Sequence, residues 1–139
     1  MKEFSWGDCL KTNSSLGKSP DKAKAKSLLD TVKGRNSFLK SVTLIESNAN
    51  FVFEGYYSSV LEVLHALVIL KGYSVSNHIC LGFYLRDVLN RNDLFTWFDG
   101  CRFNRNSLVY YGRGMDFEVA KDSIVKCKKL ISELESYIR

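Results

Sequence analysis

One proline, two histidines and four scattered cysteines in 139 residues are the scarcities that bound this chain first. A single proline beside nine glycines excludes collagen-like and proline-rich segments and favours long regular elements joined by short turns. The cysteines, Cys9, Cys80, Cys101 and Cys127, form no Cys-x-x-Cys pair, and His65 and His78 stand at no zinc-ligand spacing, so no metal or cofactor is expected. Such scattered thiols read as reduced. No uninterrupted apolar run approaches the ~20 residues that span a bilayer. The longest, Val63 to Leu70, is broken by His65 and closed by Lys71. The first ten residues carry Glu3, Trp6 and Asp8 instead of the apolar stretch of a secretion signal, so the expectation is a cytoplasmic protein with no membrane partner.

What is present is an ordinary globular composition, 45% hydrophobic and 25% charged, with a formal net charge of +5. The excess permits an anionic partner without requiring one. It is concentrated early, with nine Lys or Arg against four acids in residues 1–40, a distribution that a solvated helix face also explains. The length suits one domain that buries roughly two-thirds of its extended surface.

Periodicity predicts five helices. Ser19-Pro20-Asp21 reads as a helix start, and the apolar positions Ala25, Leu28, Leu29, Val32, Leu39, Val42 and Ile45 carry the first helix to about Glu46, with Gly34 as a soft point. Asn48-Ala49-Asn50 reads as a turn. Tyr56, Val60, Val63, Leu64, Leu67 and Val68 mark a second helix stopped by Lys71-Gly72. Ser74 to Asn77 reads as a turn in which Ser76 caps a short third helix, and the fourth runs from Leu94 to Tyr111, ending in Gly112-Arg113-Gly114. Phe117, Ala120, Ile124, Cys127, Ile131, Leu134 and Ile138 define the fifth, capped by Asp116. Strands have no comparable support. The expected fold is therefore all-α: an antiparallel bundle of about five helices, a four-helix up-and-down core plus a short helix, over residues 19–139, preceded by an irregular arm over residues 1–18.

The chemistry concentrates on the fourth helix. Stepping from Phe98 through Cys101, its apolar stripe reaches Arg105 before Leu108. A guanidinium on that seam must be paired, reach solvent or face a shared cleft, since burying it alone costs several kcal/mol. Arg102, Arg105 and Arg113 lie within about three turns, with Asn104, Asn106, Tyr110 and Tyr111 between them. Arginine forks suit phosphate oxygens and tyrosine faces suit bases, the pairing used for single-stranded nucleic acid. A polar interhelical network or a dimer contact would use the same residues.

Three stretches, in this order and spacing, resemble the HEPN (higher eukaryotes and prokaryotes nucleotide-binding) domain: Glu54-Gly55-Tyr56-Tyr57-Ser58-Ser59-Val60 running to Leu70-Lys71-Gly72-Tyr73, Ser76-Asn77-His78, and Arg105-Asn106-Ser107-Leu108-Val109-Tyr110-Tyr111-Gly112. The resemblance covers roughly residues 20–138. It implies a helical bundle that binds RNA or a nucleotide, commonly as a homodimer with paired motifs in one cleft, and often beside a minimal nucleotidyltransferase in a toxin and antitoxin pair. Many such domains are metal-independent ribonucleases whose signature is an arginine followed, after four to six residues, by a histidine. Arg105-Asn106 matches the first half, but Tyr110 stands at the earliest histidine position, and neither Tyr111 nor Gly112 restores the imidazole. By that resemblance Arg105 would stabilise the phosphorane-like transition state, Asn106 would orient it or the phosphate, and Tyr110 would occupy the base's place. Tyrosine, with an ordinary pKa of ~10, is a poor base at neutral pH. Either Tyr110 or Tyr111 could instead accept a nucleotidyl group. Arg102, Tyr111, Arg113, Glu54 and Tyr57 complete the expected substrate-binding set. His65 reads as a core or flank histidine and His78 as a structural residue at a helix start, its return to the site being the minor alternative. A buried inert thiol is the reading for Cys101. The rival to all of this is a non-catalytic helical module that binds another protein.

Overall fold

The computed structural model describes residues 2–110 and 112–138, without the side chain of Tyr110. Six helices run α1 Trp6–Lys11, α2 Lys22–Ser41, α3 Ala49–Leu70, α4 His78–Phe83, α5 Asn92–Tyr110 and α6 Phe117–Ile138, and α4 continues into a π-helical turn over Tyr84–Val88. The all-α expectation holds.

The central element is α3, buried on most of its circumference from Val52 through Val68. It is long and apolar enough to cross a membrane, but here it is the core helix, covered by α2 and α6. Pairs across the α2–α3 seam run in opposite sense along the two helices. Leu39 meets Gly55, Ser59 Oγ donates to Asn36 Oδ1 at 2.8 Å, and Arg35 grips Glu62 through two N–H donors at 2.6 and 2.9 Å. The two helices are therefore antiparallel, as their short connection requires. On the other side, α5 and α6 pair through Cys101 with Cys127 and Asn104 with Ser123, and Arg91, just ahead of α5, donates to Tyr137 Oη. The predicted stripe of α6 is buried at Ala120, Ile124, Cys127, Ile131 and Leu134.

Several boundaries differ from the sequence reading, for local reasons. The cap of α2 is Asp21, whose Oδ1 accepts the Lys24 N–H at 2.9 Å, so Ser19 and Pro20 lie outside the helix. The same helix stops at Ser41 and not near Glu46. There the β-branched pair Val42-Thr43 meets Asn48, whose side chain accepts from Ile45 N–H (3.0 Å) and donates to Thr43 O (2.9 Å), closing a turn that competes with helix. That turn releases α3 to begin at Ala49, a full turn and more before Tyr56. Gly72 ends it with φ +90°, a conformation glycine adopts at little cost. Asn77 and not Ser76 caps α4, accepting Cys80 N–H at 2.9 Å.

The expected irregular arm, over its described residues 2–18, holds a helix and a strand. Ser15–Gly17 (β1) pairs antiparallel with Tyr73–Val75 (β2), in the register Ser15 with Val75 and Gly17 with Tyr73. Ahead of it, Ser5 caps α1, which buries Trp6 against the edges of Tyr73 and Tyr84 (ring centroids 5.2 and 5.1 Å). The π turn secures this layer: Asp87 Oδ2 accepts the Trp6 N–H at 2.8 Å, and Arg86, lying on the rings of Phe83 and Phe95, donates to Phe4 O at 2.8 Å.

Cys9 and Cys80 form a disulfide, which overturns the reading of four reduced thiols. The spacing held no sign of it because 71 residues separate the partners. Persistent disulfides belong to oxidising compartments and to the cells of hyperthermophiles, so cysteine usage lends no support to a reducing cytoplasm. Cys101 and Cys127 are free thiols and buried, Cys101 as expected.

Candidate functional site

Arg105 enters the site from α5, where Phe98 and Cys101 anchor one face in the core. Cys101 is the last fully buried residue described on that helix. From Arg102 to Leu108 every side chain is half-buried, except the exposed Phe103. Arg105 is thus lifted to the rim of the bundle on the same stripe that packs below it. Arg102 donates Nε and Nη2 to Asp99 Oδ1 at 3.1 and 2.9 Å, so part of its fork is engaged one turn back on its own helix. Asn104 points away and donates to Ser123 Oγ on α6 at 3.1 Å. Asn106, next to Arg105, is half-buried.

The helix ends at Tyr110, and Gly112 turns the chain with φ +63°. Arg113 follows on the exposed connection, its N–H donating to Ser107 O at 3.1 Å. Asn50 of α3 then fixes the connection by accepting the Met115 N–H at 3.1 Å. Tyr111 and the side chain of Tyr110 lie outside the described residues, so the expected substitution of tyrosine for the base has no described geometry.

Tyr57 of α3 and His78, the first residue of α4, lie within the electrostatic reach of Arg105 and Arg102. The Tyr57 ring is buried, stacked on Phe98 (centroids 6.0 Å, interplanar angle 12°) and tilted against Phe53. The ring therefore has no free face for a nucleobase. Only its hydroxyl borders the site, where Oη stands 3.4 Å from His78 Nδ1. Glu54, one turn earlier on α3, is half-buried.

Burial and positive charge set the protonation states. Burial pushes the Tyr57 phenol far above its ordinary range, outweighing the opposite pull of Arg105 and Arg102, so it stays a neutral hydroxyl. Burial lowers His78 below the ordinary histidine value, and Arg105, His65 and Arg102 push it in the same direction. The imidazole is then neutral at pH 7. His65 is half-buried on α3, its pKa lowered first by burial and then by Lys24, in keeping with a flank histidine.

The sequence reads His78 as a structural residue at a helix start, with a place in the site as the minor alternative. Its contact with Tyr57 Oη depends on how α4 packs on α3 and carries no local signal. The helix start beside it is legible, although Asn77 and not Ser76 makes the cap.

A groove of about 740 Å³ opens elsewhere, between α2 and α6, lined by Leu29, Lys33, Asn36, Lys40, Glu135 and Ile138. It shares no residue with the arginine cluster. Among the described residues no group of three or more His, Cys, Asp or Glu side chains is placed to hold a metal ion. No family model, curated protein or solved structure matches the chain.

Proposed function

We propose that this chain is a HEPN-like domain that binds single-stranded RNA, or a nucleotide, through the phosphate, at the rim formed by Arg102, Arg105 and Arg113. The observation that carries the reading is the placement of Arg102 and Arg105, half-buried above the core stripe of α5, while α4, which packs on α5, opens with His78 at 3.4 Å from Tyr57 Oη. Two arginines and a neutral imidazole are the parts a metal-independent phosphodiester cleavage needs. The guanidinium groups would neutralise the non-bridging oxygens as charge develops, and the imidazole would take the proton of the ribose 2′-hydroxyl as it attacks the adjacent phosphorus. The 5′-oxygen leaves as a hydroxyl, taking a proton from water while the imidazolium returns its proton to solvent, and a 2′,3′-cyclic phosphate remains. In this scheme His78 fills the place the signature gives to a histidine after the arginine. Tyr57 would orient it through the Oη contact, and Asn106 stands beside the arginine to steady the phosphate. The resemblance adds a homodimer and a nucleotidyltransferase partner to the proposal.

The test is binding of a fluorescent single-stranded RNA across a salt series, followed by cleavage in chelator. Each phosphate contact contributes about 0.7 to the slope of log affinity against log salt. Arg105→Ala should weaken binding and flatten that slope by about one contact, and cyclic-phosphate ends should vanish in His78→Ala while binding persists. Binding to a protein partner that ignores salt, with none to RNA, would establish the interaction module instead.

A further inference from the structure

Cys101 and Cys127 face each other across the α5–α6 seam, Sγ to Sγ 3.9 Å. The Cys101 thiol in turn lies 3.9 Å from Ser123 O, so the two sulfurs form a short chain that ends on the backbone of α6. Two buried cysteines serving only as small apolar filler have no need to meet. We propose that this pair is a latent dithiol, a modification site that a peroxide converts into a second intrachain disulfide.

Access is the obvious obstacle, since both residues are buried. The packing of α5 supplies the route. Cys101 occupies the last fully buried position described on the helix, and the turns beyond it carry only half-buried and exposed side chains. Segments held by so few buried contacts open at low free energy, and fraying of α5 back from Gly112 reaches Cys101 first. In the closed state the Cys127 S–H donates to the Cys101 sulfur. That contact, aided by Lys126 and opposed by burial, favours thiolate at Cys101 and keeps Cys127 a thiol.

The chemistry balances with hydrogen peroxide as the oxidant. The Cys101 thiolate attacks one peroxide oxygen, the O–O bond breaks, and hydroxide leaves, giving a sulfenic acid at Cys101. Cys127 sulfur then attacks the Cys101 sulfur and expels the sulfenic oxygen, which leaves as water. Two thiols and one peroxide become one disulfide and two waters. The sulfurs need only close from van der Waals separation to the roughly 2.05 Å of a bond. Because Arg105 stands one turn from Cys101 on the same stripe, the new bond would also fasten the helix face that carries the proposed RNA site. That consequence rests on the reading above; the cross-link does not.

The experiment treats the full chain, Cys9–Cys80 intact, with millimolar hydrogen peroxide under native conditions, then denatures, alkylates and maps the peptides by mass spectrometry. The expected result is a linked peptide joining Cys101 to Cys127, two hydrogen masses below the sum of its halves, with both thiols lost to alkylation. Cys127→Ser should instead leave a sulfenic acid at Cys101 that a dimedone probe captures. Two alkylatable thiols after treatment of the wild type, or linkage only after urea, would overturn the proposal. RNA binding is measured on the same oxidised and reduced samples. Unchanged affinity with the cross-link present would sink the gating alone, and no RNA binding by either sample would count against the RNA reading and leave the dithiol standing.

Discussion

The Tyr57 hydroxyl lies 3.4 Å from His78 Nδ1, a contact between the core of α3 and the first residue of α4. It ties a fully buried tyrosine to a half-buried histidine, and both groups keep their neutral forms because of burial. A pH dependence follows. His78 has a lower pKa folded than unfolded, so below about 6.5 the unfolded chain binds its proton first. The stability gained from burying a neutral ring is complete above that pH and is lost as pH falls through the lower folded value. Urea midpoints taken from pH 7.5 to pH 4.5 should fall, and His78→Gln should flatten the decline. An unchanged decline in the variant would assign the acid sensitivity to other groups, His65 first.

Removing the Cys9–Cys80 bond should be costly. The 71-residue separation implies about 4 kcal/mol from the chain entropy of the unfolded state. Cys9→Ser should lower the thermal midpoint by at least 10 °C, on the order of what such a loss produces in a domain of this size. A reductant should do the same to the wild type and nothing further to the variant.

Two helical glycines should respond in opposite directions. Gly34 is exposed in the middle of α2 with open space around it, so Gly34→Ala should stabilise by about 1 kcal/mol through helix propensity. Gly55 lets α3 approach α2, and a Cβ there would lie 2.9 Å from both Cδ atoms of the buried Leu39. Gly55→Ala should destabilise by about 1–2 kcal/mol, its propensity gain overtaken by overpacking. Denaturant midpoints of the two variants decide the signs.

The Arg35–Glu62 pair is a two-point contact that also engages Ser59, whose hydroxyl receives Arg35 Nη1 at 3.3 Å. Both side chains are about a quarter exposed (27% and 23%), which reduces the value of the charge pair. Arg35→Lys should nevertheless cost roughly 1 kcal/mol, since an ammonium cannot reproduce the fork. Glu62→Gln in the same background should add little, the interaction having already been broken, and a double-mutant cycle measures that coupling.

The sequence by itself determined the elements whose information is local. The stripe of α6 repeats every three or four residues, so each position reports the same buried face, and Gly72 and Gly112 mark helix ends because the required backbone conformation penalises other residues. Arg105 was legible for the same reason: it interrupts a periodic stripe, and interruption is visible in one dimension. Even so, Ile45 misled, an apolar residue in register whose helix had been ended by Asn48 and two β-branched neighbours, and which is left half exposed. Tertiary structure alone decided the remainder. β1 is only three residues long and acquires its meaning from β2, nearly sixty positions away. The Cys9–Cys80 bond, the Cys101–Cys127 contact and the meeting of His78 with Tyr57 depend on which helices cross and at what height. Such crossings are set by the packing of whole surfaces around α3, and no spacing rule along the chain encodes them.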